Sequence, residues 1–165
     1  MKRGQQLLIA GGLALTLLGM SFGLWYALYD EHQTLGAMGA SLASAMGLAA
    51  EGDEAAALKA VEAFGNYRFE YVRDVHAHSH WGSLGLLLIL LGFAGAESRY
   101  RESALAALAL LLLYGAFAFP LGVMLQPLQA GVMARVLSIS GALCLVTGLF
   151  AWAWGLLPAT GGRGE

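Results

Sequence analysis

Four long apolar stretches constrain the fold of this chain more than any other feature of its sequence. They cover residues 7–29, 81–96, 104–123 and 132–157. A helix needs roughly 20 mostly apolar residues to cross a bilayer. Across the 165 residues, 58% are hydrophobic and only 12% are charged. The sequence therefore predicts an all-α integral membrane protein, residues 1–165 forming a single domain of four transmembrane helices.

The first apolar stretch is expected to be an uncleaved anchor. Lys2 and Arg3 precede it, as basic residues also precede the apolar region of a signal peptide. That region usually runs for about 7–15 residues and ends at a small-residue cleavage site. Here the stretch is longer and ends in Trp25, Tyr26 and Tyr29, residue types that concentrate at membrane interfaces.

The basic residues predict the orientation. Cytoplasmic loops carry an excess of lysine and arginine, and one side of a four-span chain would hold Lys2, Arg3, Arg99, Arg101 and Arg163. The long segment 30–74 holds eight acidic residues against three basic ones. We therefore expect both termini to be cytoplasmic, the long segment to be periplasmic, and the host membrane to be a bacterial inner membrane.

Residues 30–75 are predicted to form a periplasmic helical hairpin. Leu35, Met38, Leu42 and Met46 recur at helical spacing, and so do Leu58, Val61 and Phe64. Between the two runs, Gly52 is placed to end one helix and Asp53 to cap the next. A two-helix hairpin cannot bury both apolar faces alone. A second copy or another protein would cover them, or the arms would lie on the lipid surface.

Small residues at regular spacing predict tight helix crossings, because helices in lipid associate through close packing of such residues. The first, second and fourth spans contain these stripes: Gly12, Thr16, Gly19 and Gly23; Gly82, Gly85, Gly92 and Gly95; Ser138, Gly141, Gly148 and Gly155. Trp152 and Trp154, near the end of the fourth span, are expected to belong to an interfacial belt.

Several function classes are disfavoured. No Asp, Glu, Lys, Arg or His lies in the middle of a span, where pumps and proton-coupled transporters usually carry one. No nucleophile–base pair, phosphate-binding loop or dinucleotide motif is present, so an enzyme is less expected than a binding or structural protein. No basic patch with interleaved aromatic residues indicates nucleic acid.

The histidines give the strongest chemical signal. Three of the four lie within five residues, at His76, His78 and His80. The chain leaves the membrane just before His32 and re-enters it just after this trio, so the topology predicts that all four are neighbours.

A metal site is one interpretation of this cluster. On a helix, His76 and His80 share a face at the spacing that suits two imidazoles on one metal. His32 and a carboxylate from Asp30, Glu31 or Asp74 would complete a set for zinc, copper(II) or iron(II). Asp74 would also orient His78, four residues later. An alternative is a copper(I) site with methionine sulfur atoms, which are softer ligands.

Haem is a second interpretation, because two histidines from different helices can ligate its iron axially. His32 and one of the trio would be the pair. The haem would need a slot between the first and second spans, lined by four glycines: Gly19, Gly23, Gly82 and Gly85. A pH-responsive or partner-binding cluster and plain interfacial contacts are the other interpretations. Arg68 and Arg73 are expected to pair with Glu70 and Asp74, or to contact an anion or quinone headgroup near the histidines, with Tyr67 and Tyr71.

The segment HAHSHWGSLGLLLILLGF, residues 76–93, resembles the H-x-H and following glycine-containing helix of small membrane proteins related to the haem–copper oxidase catalytic subunit. The resemblance implies that His76 and His78 are ligands. Spans three and four contain no histidine, so a complete oxidase centre is not expected. The overall layout also resembles four-span bacterial inner-membrane proteins, which implies no activity.

Two hypotheses follow. The first is an accessory or redox-linked membrane subunit that binds a transition metal or haem at its periplasmic face. The second is a structural or assembly subunit that docks through its hairpin and needs no cofactor. In either case the expected partners are the lipid bilayer and either further copies of this chain or a larger membrane complex.

Overall fold

The chain forms five α-helices, in a computed structural model that describes residues 1–127 and 131–157. They are α1 (Arg3–Tyr29), α2 (Glu31–Ala50), α3 (Glu54–Ala94), α4 (Glu102–Met124) and α5 (Gly131–Leu156), with a 3₁₀ turn over Gly95–Glu97. No strand occurs within the described residues. By length and composition, α1, α3, α4 and α5 can each cross a membrane. The predicted all-helical fold with four such helices is confirmed, and Arg163 lies outside the described residues.

Helix α3 is much longer than a span requires. Its 41 residues extend about 60 Å at a rise of 1.5 Å per residue, twice the hydrocarbon thickness of a bilayer. One uninterrupted helix therefore contains the predicted second hairpin arm, the histidine segment and the second span. The residues between Gly65 and Gly82 include no glycine or proline, so nothing in the sequence breaks the helix there.

The turn between α2 and α3 has the predicted chemistry. Gly52 adopts a φ of 81°, in the left-handed region that glycine enters without a steric cost. Asp53 caps α3, since its carboxylate accepts a 3.1 Å hydrogen bond from the backbone amide of Ala56. This turn sends the chain back so that α2 packs along the first half of α3.

Helices α1 and α3 cross where both present glycine. A Cβ atom added at Gly12 would lie 2.6 Å from the carbonyl oxygen of Gly85, and one added at Gly19 would lie 2.8 Å from the amide nitrogen of Gly82. These distances leave no room for a side chain, so the backbones touch directly. The glycines of the first two stripes thus lie at a tight crossing, as their spacing predicted, and the structure shows that the two spans cross each other.

Helices α4 and α5 meet in the same way. A Cβ atom at Gly115 would lie 2.8 Å from the carbonyl oxygen of Gly141, and one at Gly122 would lie 2.7 Å from that of Ala134. The largest fully buried side chains come from three helices of the bundle, α1, α3 and α4: Leu8, Leu88, Leu105, Leu112 and Pro120.

The prediction for Trp152 is wrong. Its side chain is 2% exposed and belongs to the core cluster. The indole ring packs against Gly95, where an added Cβ atom would lie 3.1 Å from the ring. The absence of a side chain at Gly95 therefore leaves room for it. Trp154 is 64% exposed, and the guanidinium of Arg99 lies 5.5 Å from its ring centre, an arrangement that suits an interfacial residue.

Candidate functional site

The histidine trio lies at the end of the bundle where α1 and α4 stop, at Tyr29 and Met124. This is called the hairpin end below, because α2 begins there. Met124 and Pro127 line one cavity together with Glu70 and Asp74, so the end of α4 is level with Asp74. The 21 residues 76–96 that follow span about 31 Å, enough to cross the hydrocarbon layer. A span that begins at residue 76 would hold His76, His78 and His80 in its first turn and a half, with Asp74 just outside it.

His76 and His80 share one face of α3, as predicted. Their ring centres are 6.0 Å apart. The His80 ring also packs 5.2 Å from that of Phe119 on α4, while His76 is exposed. The pair can approach a common ligand from one side, with His80 packed against the bundle and His76 exposed.

His78 lies on the opposite side, against α1. Its ring centre is 6.4 Å from that of Phe22, and a Cβ added at Gly23 would lie 3.1 Å from its Cδ2 atom. Its Nδ1 atom is 3.0 Å from the backbone carbonyl oxygen of Asp74. A protonated Nδ1 donates this bond, so the backbone of Asp74, rather than the predicted carboxylate, orients the ring.

Three carboxylates surround a cavity of about 350 Å³ at the hairpin end. Asp30, Glu70 and Asp74 line it together with the rings of Phe22 and Trp25, and we call it the acidic cavity. Burial, followed by the charges of Asp30 and Glu70, raises the pKa of Asp74 to about 6, although the charge of His78 acts in the opposite direction. A carboxylate with this pKa exchanges its proton near neutral pH, and its ionised form attracts a cation.

The predicted ligands do not converge into one set. His32 is exposed in the first turn of α2, next to the partly buried Glu31. Within residues 1–127 and 131–157, no three His, Cys, Asp or Glu side chains group closely enough to hold a metal ion. The structure brings His76 to His80, and Asp30 to Asp74, but it does not join these pairs with His32 into a coordination site. Metal and haem binding stay predictions.

A second surface was missed by sequence reasoning. A groove of about 470 Å³ runs along α3, lined by Val61, Phe64, Gly65, Arg68, Phe69, Val72, Arg73 and His76, and we call it the basic groove. The guanidinium of Arg73 lies 4.8 Å from the centre of the Phe69 ring, and its buried Nε atom has no hydrogen-bond partner. The signal that was available is the helical spacing of residues 61, 65, 68, 72 and 76, which places them on one face.

The chain was also compared with known proteins. Neither the protein-family models, nor the curated proteins, nor the solved structures give a match.

Proposed function

We propose that this chain is a structural or assembly subunit of a membrane complex, with the α2–α3 hairpin standing outside the membrane as its docking surface. The observation that carries the proposal is the exposure of large apolar side chains along the hairpin. Met46 is 69% exposed and Leu58 is 70% exposed. Soluble proteins rarely expose large contiguous apolar patches, and such patches usually bind another protein or a membrane.

The exposed side chains form a continuous surface. An apolar depression of about 410 Å³ separates the two arms and is lined by Leu42, Ala45, Met46, Ala49, Glu54, Ala57, Leu58 and Val61. Leu35 and Phe69 extend the exposed apolar surface toward the membrane. This area lies at the far end of the hairpin, away from the lipid-crossing part of the chain.

The continuity of α3 supports an upright hairpin over one that lies flat on lipid. Residues 54–75 extend about 33 Å beyond the histidines as part of the same helix that crosses the membrane. An arm lying on the bilayer surface would need a break near residue 75, and α3 has none. A partner protein is therefore the better cover for the exposed apolar side chains.

The charge distribution supports the proposed orientation. Lys2 lies at the opposite end of the bundle from the hairpin, where its Nζ atom donates a 3.2 Å hydrogen bond to the carbonyl of Ser98. Arg99 and Arg101 follow directly. This basic end would face the cytoplasm and the hairpin would face the periplasm, across a bacterial inner membrane.

Site-specific photocrosslinking in native membranes tests the docking proposal. A photoreactive residue at Leu58 or Met46 is expected to capture a neighbouring protein, because these side chains would be covered in the complex. The matched control is Lys59, which is also exposed but lines none of the apolar surface. Absence of any protein adduct at both Leu58 and Met46 would overturn the proposal.

A second candidate function rests on the His76–His80 pair, whose rings are 6.0 Å apart. Such a pair supplies two ligands for zinc, copper(II) or iron(II), and the remaining ligands would come from a partner. Metal analysis of the purified protein, with His76→Ala and the exposed control Ser79→Ala, tests it. The site is supported if the wild type and Ser79→Ala contain a stoichiometric metal and His76→Ala does not. Metal-free protein purified together with its partners contradicts it.

Haem is tested in the same samples by absorption. A Soret band that is lost in His32→Ala and in one variant of the trio would support axial ligation by His32 and that histidine. A preparation with its partners bound and no Soret band rules this cofactor out.

A further inference from the structure

The basic groove and the acidic cavity occupy opposite sides of α3. At 100° per residue, the groove residues centre within about 10° of the direction of Val72. The mean direction of Glu70 and Asp74 is roughly 170° from that centre. Arg73 lies at the edge of the groove, about 60° from Glu70, but no acidic residue lines the groove, and the carboxylates line the cavity on the other side.

The two surfaces also lie at the same height along the membrane normal. Arg73 is adjacent to Asp74, and Arg68 lies two residues from Glu70. Because each residue of a helix rises by about 1.5 Å, the two charge sets differ in height by only a few ångströms. A neighbouring molecule that stands in the membrane the same way up would bring its groove level with this chain's cavity.

The basic groove lacks an acceptor within the chain. The buried Nε atom of Arg73 has no hydrogen-bond acceptor. Buried polar groups are normally satisfied, so this side of α3 is left in need of an acceptor that the same molecule does not supply.

The chemistry of the acidic cavity fits a guanidinium. Asp30, Glu70 and Asp74 supply carboxylate acceptors, and Phe22 and Trp25 supply aromatic faces. Arginine forms bidentate hydrogen bonds with carboxylates and stacks on aromatic rings. In the basic groove, Arg73 already lies against an aromatic ring and needs an acceptor.

Membrane orientation excludes the symmetric pairing of two grooves. Copies inserted the same way up can be related only by rotation about the membrane normal, so a two-fold contact places residues of equal height opposite each other. If the basic grooves of two copies faced each other, Arg68, Arg73 and His76 of one copy would lie opposite the same three residues of the other. Like charges placed this way repel.

We propose that copies of this chain associate head to tail, the basic groove of one docking on the acidic cavity of the next, in a ring around the membrane normal. Such a heterologous contact closes when the rotation per copy divides a full turn. The inference rests on the proposed function, since it names a second copy of the chain as a partner of the hairpin region.

Charge reversal tests the contact in purified, membrane-extracted protein whose mass is measured by light scattering. R68E/R73E and E70R/D74R are each expected to lose the oligomer, because each makes groove and cavity alike in charge. The fourfold swap, which carries all four substitutions, is expected to regain it. Lys59→Glu, at an exposed position outside both surfaces, is the control and should keep the oligomer.

Cysteine crosslinking tests the geometry without changing the arginines or carboxylates. In a Cys144→Ala background, Phe69→Cys marks the groove and Trp25→Cys marks the cavity, both at exposed positions. A mixture of the two variants is expected to form mixed disulfide dimers, whereas Phe69→Cys alone should not. Crosslinking of Phe69→Cys with itself would overturn the head-to-tail contact.

The outcomes separate this inference from the proposed function. A monomeric chain that is still captured by another protein at Leu58 would refute the ring and leave the docking proposal intact. A ring with no other protein captured at Leu58 would support the contact and refute the larger complex. If the charge-reversal variants fail to fold by circular dichroism, the cysteine mixture still decides the result.

Discussion

Single residues with distinct local environments decide how this chain turns, packs and titrates. Gly52, Asp53 and the crossing glycines were predicted from the sequence, because a left-handed turn, a cap and a stripe each leave a signal within a few positions. The burial of Trp152 was not predictable, since the space it fills is made by Gly95, which is 57 residues away in the chain. The contact of Arg73 with Phe69 was missed because two nearby carboxylates, Glu70 less than one turn away and Asp74 next to it, were the expected partners.

Substitution of Asp74 is expected to change how stability depends on pH. The folded chain raises the pKa of Asp74 from 3.8 to about 6, so the stabilisation that comes from its proton is complete below pH 3.8 and is lost as the pH rises through 6. Asp74→Asn should therefore raise the unfolding temperature at pH 8. The gain should correspond to on the order of 1 kcal/mol, allowing for solvent screening.

Thermal unfolding of both proteins between pH 4 and pH 8 checks this. The difference between wild type and Asp74→Asn should vanish toward pH 4. A difference that is constant with pH would show that Asp74 does not titrate in this range.

Gly52→Ala is expected to destabilise the α2–α3 turn. A Cβ atom at a φ of 81° costs about 1–2 kcal/mol. Gly47→Ala is the control, because Gly47 lies inside α2 with no atom within 4 Å of the added Cβ, and this change should stabilise the helix by up to about 1 kcal/mol. Denaturant unfolding measured on the two variants should give shifts of opposite sign.

At the scale of elements, α3 and its crossing with α1 determine where the histidines lie. The four spans were predictable because lipid demands long apolar helices with satisfied backbones. The fusion of the second hairpin arm with the second span was not, since polar segments such as YRFEYVRD are equally compatible with a loop at the membrane surface. The register of α1 against α3 depends on contacts such as Gly19 with Gly82, which no local pattern specifies.

Gly85→Leu is expected to disrupt the crossing of α1 and α3. Even a Cβ atom at this position would lie 2.6 Å from the carbonyl oxygen of Gly12, so the helices would have to separate. Overpacking of this kind costs about 1–3 kcal/mol. Gly82→Ala on the same helix is the matched control, because its added Cβ meets no atom within 4 Å.

The measurement is the loss of helical signal on heating in detergent. Gly85→Leu should unfold at a lower temperature than the wild type, and Gly82→Ala should not. Equal melting of both variants would contradict a tight crossing at Gly85.

At the scale of the whole molecule, the chain combines a small-residue-packed bundle with a hairpin that leaves apolar and charged surfaces uncovered. The spacing of Leu58 and Val61 made an apolar face on the second arm predictable from the sequence, whereas the partner that would cover this face stays a prediction. The sequence did not reveal that the basic groove and the acidic cavity are separate surfaces, because the basic and acidic residues form a mixed run: Arg68, Glu70, Arg73 and Asp74. The distance of His32 from the trio's face likewise depends on how α2 leaves α1.

The proposed orientation predicts which positions a membrane-impermeant thiol reagent reaches in intact cells. In a Cys144→Ala background, Ser44→Cys on the hairpin should react, whereas Glu97→Cys at the opposite end should react only after the membrane is opened. Both positions are exposed, so accessibility alone does not separate them. Labelling of Glu97→Cys in intact cells would reverse the proposed topology.

The uninterrupted α3 makes the hairpin and the second span one lever. If the glycine crossing with α1 acts as the pivot, the arm beyond it ends at Glu54. A rotation of 10° about that pivot would move the tip by about 8 Å, given some 31 residues of 1.5 Å each between Glu54 and Gly85. Any force that a bound protein applies at the tip is thus transmitted directly to His76, His78 and His80, which lie on the same rod between the load and the pivot.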